Sequence, residues 1–242
     1  MKQRPWVRLV VLLVVLAVPV FLTTAGIRLI TSKSLVSWEY SRASFPADPY
    51  GLPTEERIRL AGVCIDYILS GADISLLADL TLADGRQAFQ ACELGHMVDV
   101  QVLYGAMMIA CAVSGTVIAA GLMALVFSPD SRPRAPRALQ RGGLLMLSLL
   151  VVAGLFIVLG WSTFFDGFHR TFFTEGTWTF SWSDTLIRLY PIRFWQDVTA
   201  GVVGLMVLGA LVIGCAGWLW GRRIRTAFVA GTPAAPQPGA AA

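Results

Sequence analysis

Four stretches of this chain carry no charged side chain: residues 9–27, 100–129, 142–165 and 198–221. A bilayer's hydrocarbon core is about 30 Å thick and needs roughly 20 apolar residues in helical form to cross it. Each stretch meets that length or comes within a residue of it. Backbone polar groups find no water in hydrocarbon, so a spanning segment pairs them within itself as a helix. The stretches lack the apolar/polar alternation of barrel strands. Composition agrees, with 56% apolar and 14% charged residues against about 45–50% and about 25% in soluble domains. The expected fold is an all-α membrane protein with four transmembrane helices.

Orientation follows from basic residues in the short loops. Lys2, Arg4 and Arg8 precede the first span, Arg132, Arg134, Arg137 and Arg141 follow the second, and Arg222, Arg223 and Arg225 follow the fourth. The only acid among them is Asp130. The other segments hold nine basic and fourteen acidic residues. The basic side is expected to be cytoplasmic, with both termini inside. The basic pI thus reflects topology and implies no nucleic-acid partner. The first span reads as an uncleaved anchor, although the small residues Thr23, Thr24, Ala25 and Gly26 would also suit a signal-peptide cleavage site.

The expected organisation is an N-terminus and first span at 1–27, an extracytoplasmic cap at 28–99 and a second span at 100–128. A basic loop at 129–141, a third span at 142–165, an aromatic outer loop at 166–197, a fourth span at 198–221 and a disordered tail at 222–242 complete it. In the cap, Pro46, Pro49, Gly51 and Pro53 mark an irregular loop. Thr54 then looks like a helix N-cap, with Glu55 and Glu56 in the favourable first turn. Ile58, Ala61, Ile65 and Ile68 form one helical face and Gly71 ends it. Residues 72–84 fit a membrane-hugging helix slightly better than a strand. Helix resumes at Arg86 and runs into span two. Cys64 and Cys92 both lie on the outer side, where disulfides persist, and are either bridged or free. Cys111 and Cys215 lie within spans as packing residues.

The chain has two histidines. His96 stands at the outer start of span two and His169 just past the outer end of span three, so topology puts both in one thin layer. Glu93 and Asp99 flank His96 three residues either side. Asp166 precedes His169 by three and Arg170 follows it. A lone interfacial histidine is ordinarily structural, but ionisable residues at membrane depth are costly and mark working sites. Three chemistries suit such a pair: general acid–base catalysis, zinc held by two histidines and a carboxylate, and proton sensing or transport. The close-spaced motif of a zinc hydrolase is absent, as are a nucleophile elbow and a phosphate loop. The aromatics of 166–197 read first as an interfacial belt.

Three segments carry a family resemblance. Glu93-Leu94-Gly95-His96-Met97-Val98-Asp99-Val100 is the first. Phe168-His169-Arg170-Thr171-Phe172-Phe173, followed by Trp178-Thr179-Phe180, is the second. Tyr190-Pro191-Ile192-Arg193-Phe194-Trp195 is the third. Their order and spacing across residues 4–225 resemble a bacterial four-span membrane family that includes the lipoprotein intramolecular transacylase.

The resemblance implies transfer of the sn-2 acyl chain of a diacylglyceryl-cysteine lipoprotein onto its own N-terminal amine, with no cofactor or metal and with membrane lipid around it. It implies His169 as base and His96 as acid or oxyanion partner, or the reverse. Glu93, Asp99, Asp166 and Arg170 would support them. Met97, Phe168, Phe172, Phe173, Trp178, Phe180, Tyr190, Phe194 and Trp195 would seat acyl chains. The rival expectations are a non-catalytic envelope-binding protein and a zinc-dependent lipid hydrolase.

Overall fold

The computed structural model describes residues 4–174 and 176–230. Helices joined by irregular loops make up their regular structure, with one isolated β-bridge between Thr81 and Gln87. The helices are α1 (Pro5–Ile30), α2 (Lys33–Ser41), α3 (Thr54–Ser70), α4 (Ser75–Ala78), α5 (Ala91–Phe127), α6 (Ala135–Leu159), α7 (Trp161–Phe172), α8 (Thr185–Leu189) and α9 (Ile192–Ala230).

Helices α1, α5, α6 and α9 are long and apolar enough to cross a membrane. Their lipid-facing surface is built from side chains such as Leu12, Val102, Ile109, Val151, Leu155, Leu208 and Val212, all exposed in the protein alone. Helix α1 lies centrally, against α5, α6 and α9, while the most extensive pairing is α6 with α9. Lipid supplies no hydrophobic drive between helices, so close backbone approach matters. A Cβ on Gly143 would lie 2.7 Å from the Ala210 carbonyl oxygen, and one on Gly217 would lie 2.7 Å from that of Pro136. These two glycines let α6 and α9 touch backbone to backbone.

At 37 and 39 residues, α5 and α9 reach about 55–60 Å at 1.5 Å per residue. Both outrun the bilayer. The first turns of each enter a cap formed by α2, α3, α4 and α8. The cap core packs Leu60, Cys64, Tyr67, Leu77 and Phe89 with Leu186, Leu189, Met97 of α5 and Phe194 of α9. Two distant segments of chain therefore make one body. Buried polar contacts join them. The Tyr40 hydroxyl donates to the Leu189 carbonyl (2.7 Å), Arg57 donates to the Arg188 and Pro46 carbonyls, and Arg188 pairs with Asp48 at 2.9 Å.

Several boundaries differ from expectation. Helix α3 begins at Thr54 with Pro53 in the cap position, and ends at Gly71 in the left-handed region (φ +67°). Helix α2 was not anticipated. Residues 72–84 hold only the short α4, and Leu77 is wholly buried in the cap. The helix into span two starts at Ala91 and not at Arg86, because the Thr81–Gln87 bridge precedes it. The third span closes at Leu159. Gly160 takes an extended conformation and α7 starts afresh. Helix α9 starts six residues before the expected fourth span and continues to Ala230, against the expectation of a disordered tail from 222. Residues 231–242 of that tail lie outside the described residues.

Candidate active site

Helix α5 delivers His96 through its own start signal. Gln90 and Glu93 form a capping box, in which the Gln90 N–H donates to Glu93 Oε2 at 2.7 Å. Such a box satisfies amides that the first helical turn leaves open. The other Glu93 oxygen accepts the Leu186 N–H at 2.6 Å, and the residue is fully buried. Glu93 thus ties α5 to α8, and its oxygens are engaged away from His96. This corrects its expected role as a support for the histidine.

Helix α7 delivers His169. It is amphipathic and begins at the Gly160 break with Trp161, as suits a helix lying at an interface. His169 is 8% exposed. Its Nδ1 stands 2.8 Å from the Phe165 carbonyl oxygen, one turn earlier. A carbonyl only accepts, so the proton sits on Nδ1 and the Nε2 lone pair is left as the basic site. Burial lowers the pKa of His169 below its ordinary 6.5. The Phe165 bond and the Asp166 charge oppose that shift without cancelling it.

The two imidazoles lie nearly parallel, with ring centroids 6.0 Å apart and an interplanar angle of 22°. Phe173 (4.7 Å) and Phe180 (5.4 Å) pack on His96. Phe165 (4.1 Å), Trp178 (5.1 Å), Phe173 (5.3 Å) and Phe168 (5.5 Å) surround His169. Two polar atoms in this lining are buried without a hydrogen-bond partner, His96 Nδ1 and Trp178 Nε1. Buried polar atoms are nearly always paired, so unpaired ones call for an explanation.

The other expected site residues divide. Asp99 accepts a hydrogen bond from the Thr177 hydroxyl (3.2 Å), which holds the turn before Trp178 against α5. Asp166 and Arg170 are exposed and make no hydrogen bond or ion pair among the described residues. Phe172 packs on Phe168 at 5.0 Å and is half exposed. Met97, Tyr190 and Phe194 belong to the cap core, where the Tyr190 hydroxyl donates to the Ala61 carbonyl. Trp195 stacks on the last two. Met97, Tyr190 and Phe194 thus serve the cap core, and Trp195 is exposed beside it.

Cys64 and Cys92 are free thiols. Cys64 faces the interior of α3, where burial pushes its thiol up to about 12, while Cys92 is exposed on α5. Of the two alternatives, bridged or free, the thiols take the free one. Among the described residues, no three His, Cys, Asp or Glu side chains converge on a point. Phe165 was missed by the sequence reading, which took it as the last residue of a span. Its position four residues before His169 was the available signal.

Four spans, a helical cap and two facing histidines at their junction describe a multi-pass membrane protein with a candidate site at one end of its bundle. A model of the family "Lipoprotein intramolecular transacylase Lit" matches residues 10–195. The chain belongs to the lipoprotein intramolecular transacylase family, and so to the membrane acyltransferases. It is 30% identical over 206 residues to an uncharacterized protein of Aquifex aeolicus (strain VF5), covering 85% of this chain and 92% of that one. The in meso structure of the membrane integral lipoprotein intramolecular transacylase Lit from Bacillus cereus aligns with a TM-score of 0.76 at 17% identity, over 93% of this chain and all of that one. A form of it carrying a histidine-to-arginine mutation aligns at 0.71 and 17%, over 92% and 95%. At such identity the likeness is one of fold.

Proposed function

We propose that this protein moves the sn-2 acyl chain of a diacylglyceryl-cysteine lipoprotein onto that lipoprotein's N-terminal amine. The observation that carries the mechanism is the tautomer of His169, whose Nδ1 is held by the Phe165 carbonyl so that Nε2 is free to take a proton.

The α-amine has a pKa near 8, so a fraction is unprotonated near neutral pH. Its nitrogen attacks the ester carbonyl carbon, and His169 Nε2 removes the proton that the nitrogen sheds. The carbonyl oxygen becomes an oxyanion. The unpaired Trp178 Nε1–H is a donor suited to receive it, and donors at such an oxygen are among the largest contributors to acyl transfer. The carbon–oxygen bond to glycerol then breaks. The alkoxide takes the proton that His169 gathered from the nitrogen, relayed through His96 as the acid partner, so both rings end neutral as they began. An amide forms, a glycerol hydroxyl is released, and neither water nor a second lipid is consumed.

The depressed pKa of His169 keeps it neutral and basic at physiological pH. The aromatic lining of Phe168, Phe173 and Phe180 offers acyl chains an apolar seat beside the rings. The arginine-rich ends would lie in the cytoplasm and the histidines at the outer face, as the distribution of basic loops favours.

The test is mass spectrometry of a lipoprotein's N-terminal peptide, co-expressed with the wild type or with His169→Ala. Wild type should yield N-acyl, S-monoacylglyceryl cysteine, and the variant should leave the diacylglyceryl form. Conversion by the variant at the wild-type rate, or no conversion by either, would overturn the reading.

A further inference from the structure

At the opposite end of the bundle from the histidines, a cavity of about 350 Å³ opens between α1 and α6. Its rim is Arg8 on α1 and Arg134, Arg137 and Arg141 at the start of α6. Arg137 and Arg141 are one helical turn apart, with Arg134 three residues before them, so all three share one helix face. The floor is apolar. Val7, Val11 and Val15 repeat every four residues along α1, with Leu12 beside them. The furrow is therefore cationic at its mouth and greasy along its length. Eight residues of α1 descend about 12 Å, most of the roughly 15 Å that one leaflet of hydrocarbon provides.

On the α6 side, Arg137 and Arg141 face no carboxylate within the groove. Asp130, the one acid of the 129–141 loop, contributes its main-chain carbonyl to Arg134 at 2.6 Å. The N-terminus of α6 opens at the same place, and its dipole adds positive potential there. Guanidinium groups suit phosphate oxygens through paired N–H donors.

We propose that the α1–α6 groove binds an anionic phospholipid, its phosphate held by the arginines and one acyl chain laid on the valine furrow. A zwitterionic lipid would bring its own cation against the α6 arginines, so net charge is what the groove selects. The site is structurally independent of the histidine pair, and nothing in it depends on the transacylase reading.

The experiment is native mass spectrometry of the full-length protein, delipidated in detergent. It is titrated with phosphatidylglycerol, with phosphatidylcholine of the same acyl chains, and with inorganic phosphate. Wild type should retain phosphatidylglycerol at least about tenfold better than phosphatidylcholine. Arg137→Gln/Arg141→Gln should reduce that preference to within about twofold. Val11→Trp keeps every arginine but fills the furrow, and it should lose retention as well.

Equal retention of the two lipids by wild type would overturn the proposal. So would full preference in Val11→Trp, because the arginines would then act as diffuse surface charge. Displacement of the lipid by inorganic phosphate at equal concentration would also overturn it, by showing that the groove reads phosphate alone. Thermal midpoints of both variants in phosphatidylcholine should match wild type. A fall in midpoint that accompanies loss of retention is separated by Leu9→Trp, a lipid-facing control outside the groove that should retain the preference, and loss there would count against the site.

Discussion

The cap core and the histidine layer both bury polar groups, and they treat them in opposite ways. In the cap, each buried charge has its partners. Arg57 donates to two carbonyls, Glu39 meets Arg42, Glu93 takes two backbone N–H groups, and Asp48 holds Arg188. In the histidine layer, His96 Nδ1 and Trp178 Nε1 are buried with nothing to bond. A satisfied network fixes one geometry, while an unsatisfied one stores binding capacity for a ligand that completes it. The difference separates what holds this protein together from what it works with.

The sharpest break in that comparison is removal of a histidine. His169→Ala should lower single-turnover acyl transfer by about a hundred- to ten-thousand-fold, the range for a general base, with an unchanged melting temperature in detergent. A parallel loss of folding would place His169 among the structural groups. Trp178→Phe keeps an aromatic ring but removes the N–H together with the five-membered ring. It should cost about a hundredfold in rate and only the small stability loss of the trimmed ring packing, since that N–H makes no bond in the protein alone. Unimpaired transfer by this variant would remove the indole from the oxyanion role.

The reverse pattern is expected in the cap. Arg188→Met strands the buried Asp48 carboxylate and should destabilise the protein by about 3–5 kcal/mol, as breaking a buried pair does. Thermal unfolding checks this, with single-turnover chemistry at low temperature little altered. Burial alone would raise Asp48, but hydrogen bonds from Arg188 and the Leu52 N–H hold it below its ordinary value. Its stabilisation is therefore present above the unfolded pKa of 3.8 and is lost as pH falls through the lower folded one.

A smaller effect concerns pH and rate. Because burial holds His169 below 6.5, activity normalised for free amine should persist through pH 6.5 and fall only under more acid conditions. Asp166 is a minor stabiliser of the imidazolium, so Asp166→Asn should move that acid limb lower still. A shift to higher pH would contradict the assignment. The least demanding comparison is of the thiols. Aqueous maleimide should label the exposed Cys92 and spare Cys64, whose thiol is buried and held near pKa 12. Protection of Cys92 until a reductant is added would restore the bridge.

Much of this architecture was legible in the chain. Charge-free stretches located the four spans because hydrocarbon admits little else, and their order put both histidines in one layer. The site's details were less legible. Tyr190 and Phe194 look like neighbours of Trp178 in an aromatic loop, yet the cap draws them into its core, and Trp195 packs on them from outside. Apolar counting carried span three through Phe165, because hydropathy does not register the bend at Gly160. Glu93 looked like a partner for His96 at helical spacing, but the amides of Gln90 and Leu186 compete for both its oxygens.

The sequence by itself determined the solvent this protein lives in, the number of crossings and the shared layer of its histidines. Each follows from the solvation of single residues, summed along a segment. The tertiary structure alone decided which aromatics face the imidazoles, which nitrogen of His169 carries the proton, and which carboxylates are already spoken for. Those depend on hydrogen bonds and ring contacts between residues as far apart as Glu93 and Leu186, and no local pattern along the chain encodes such pairings.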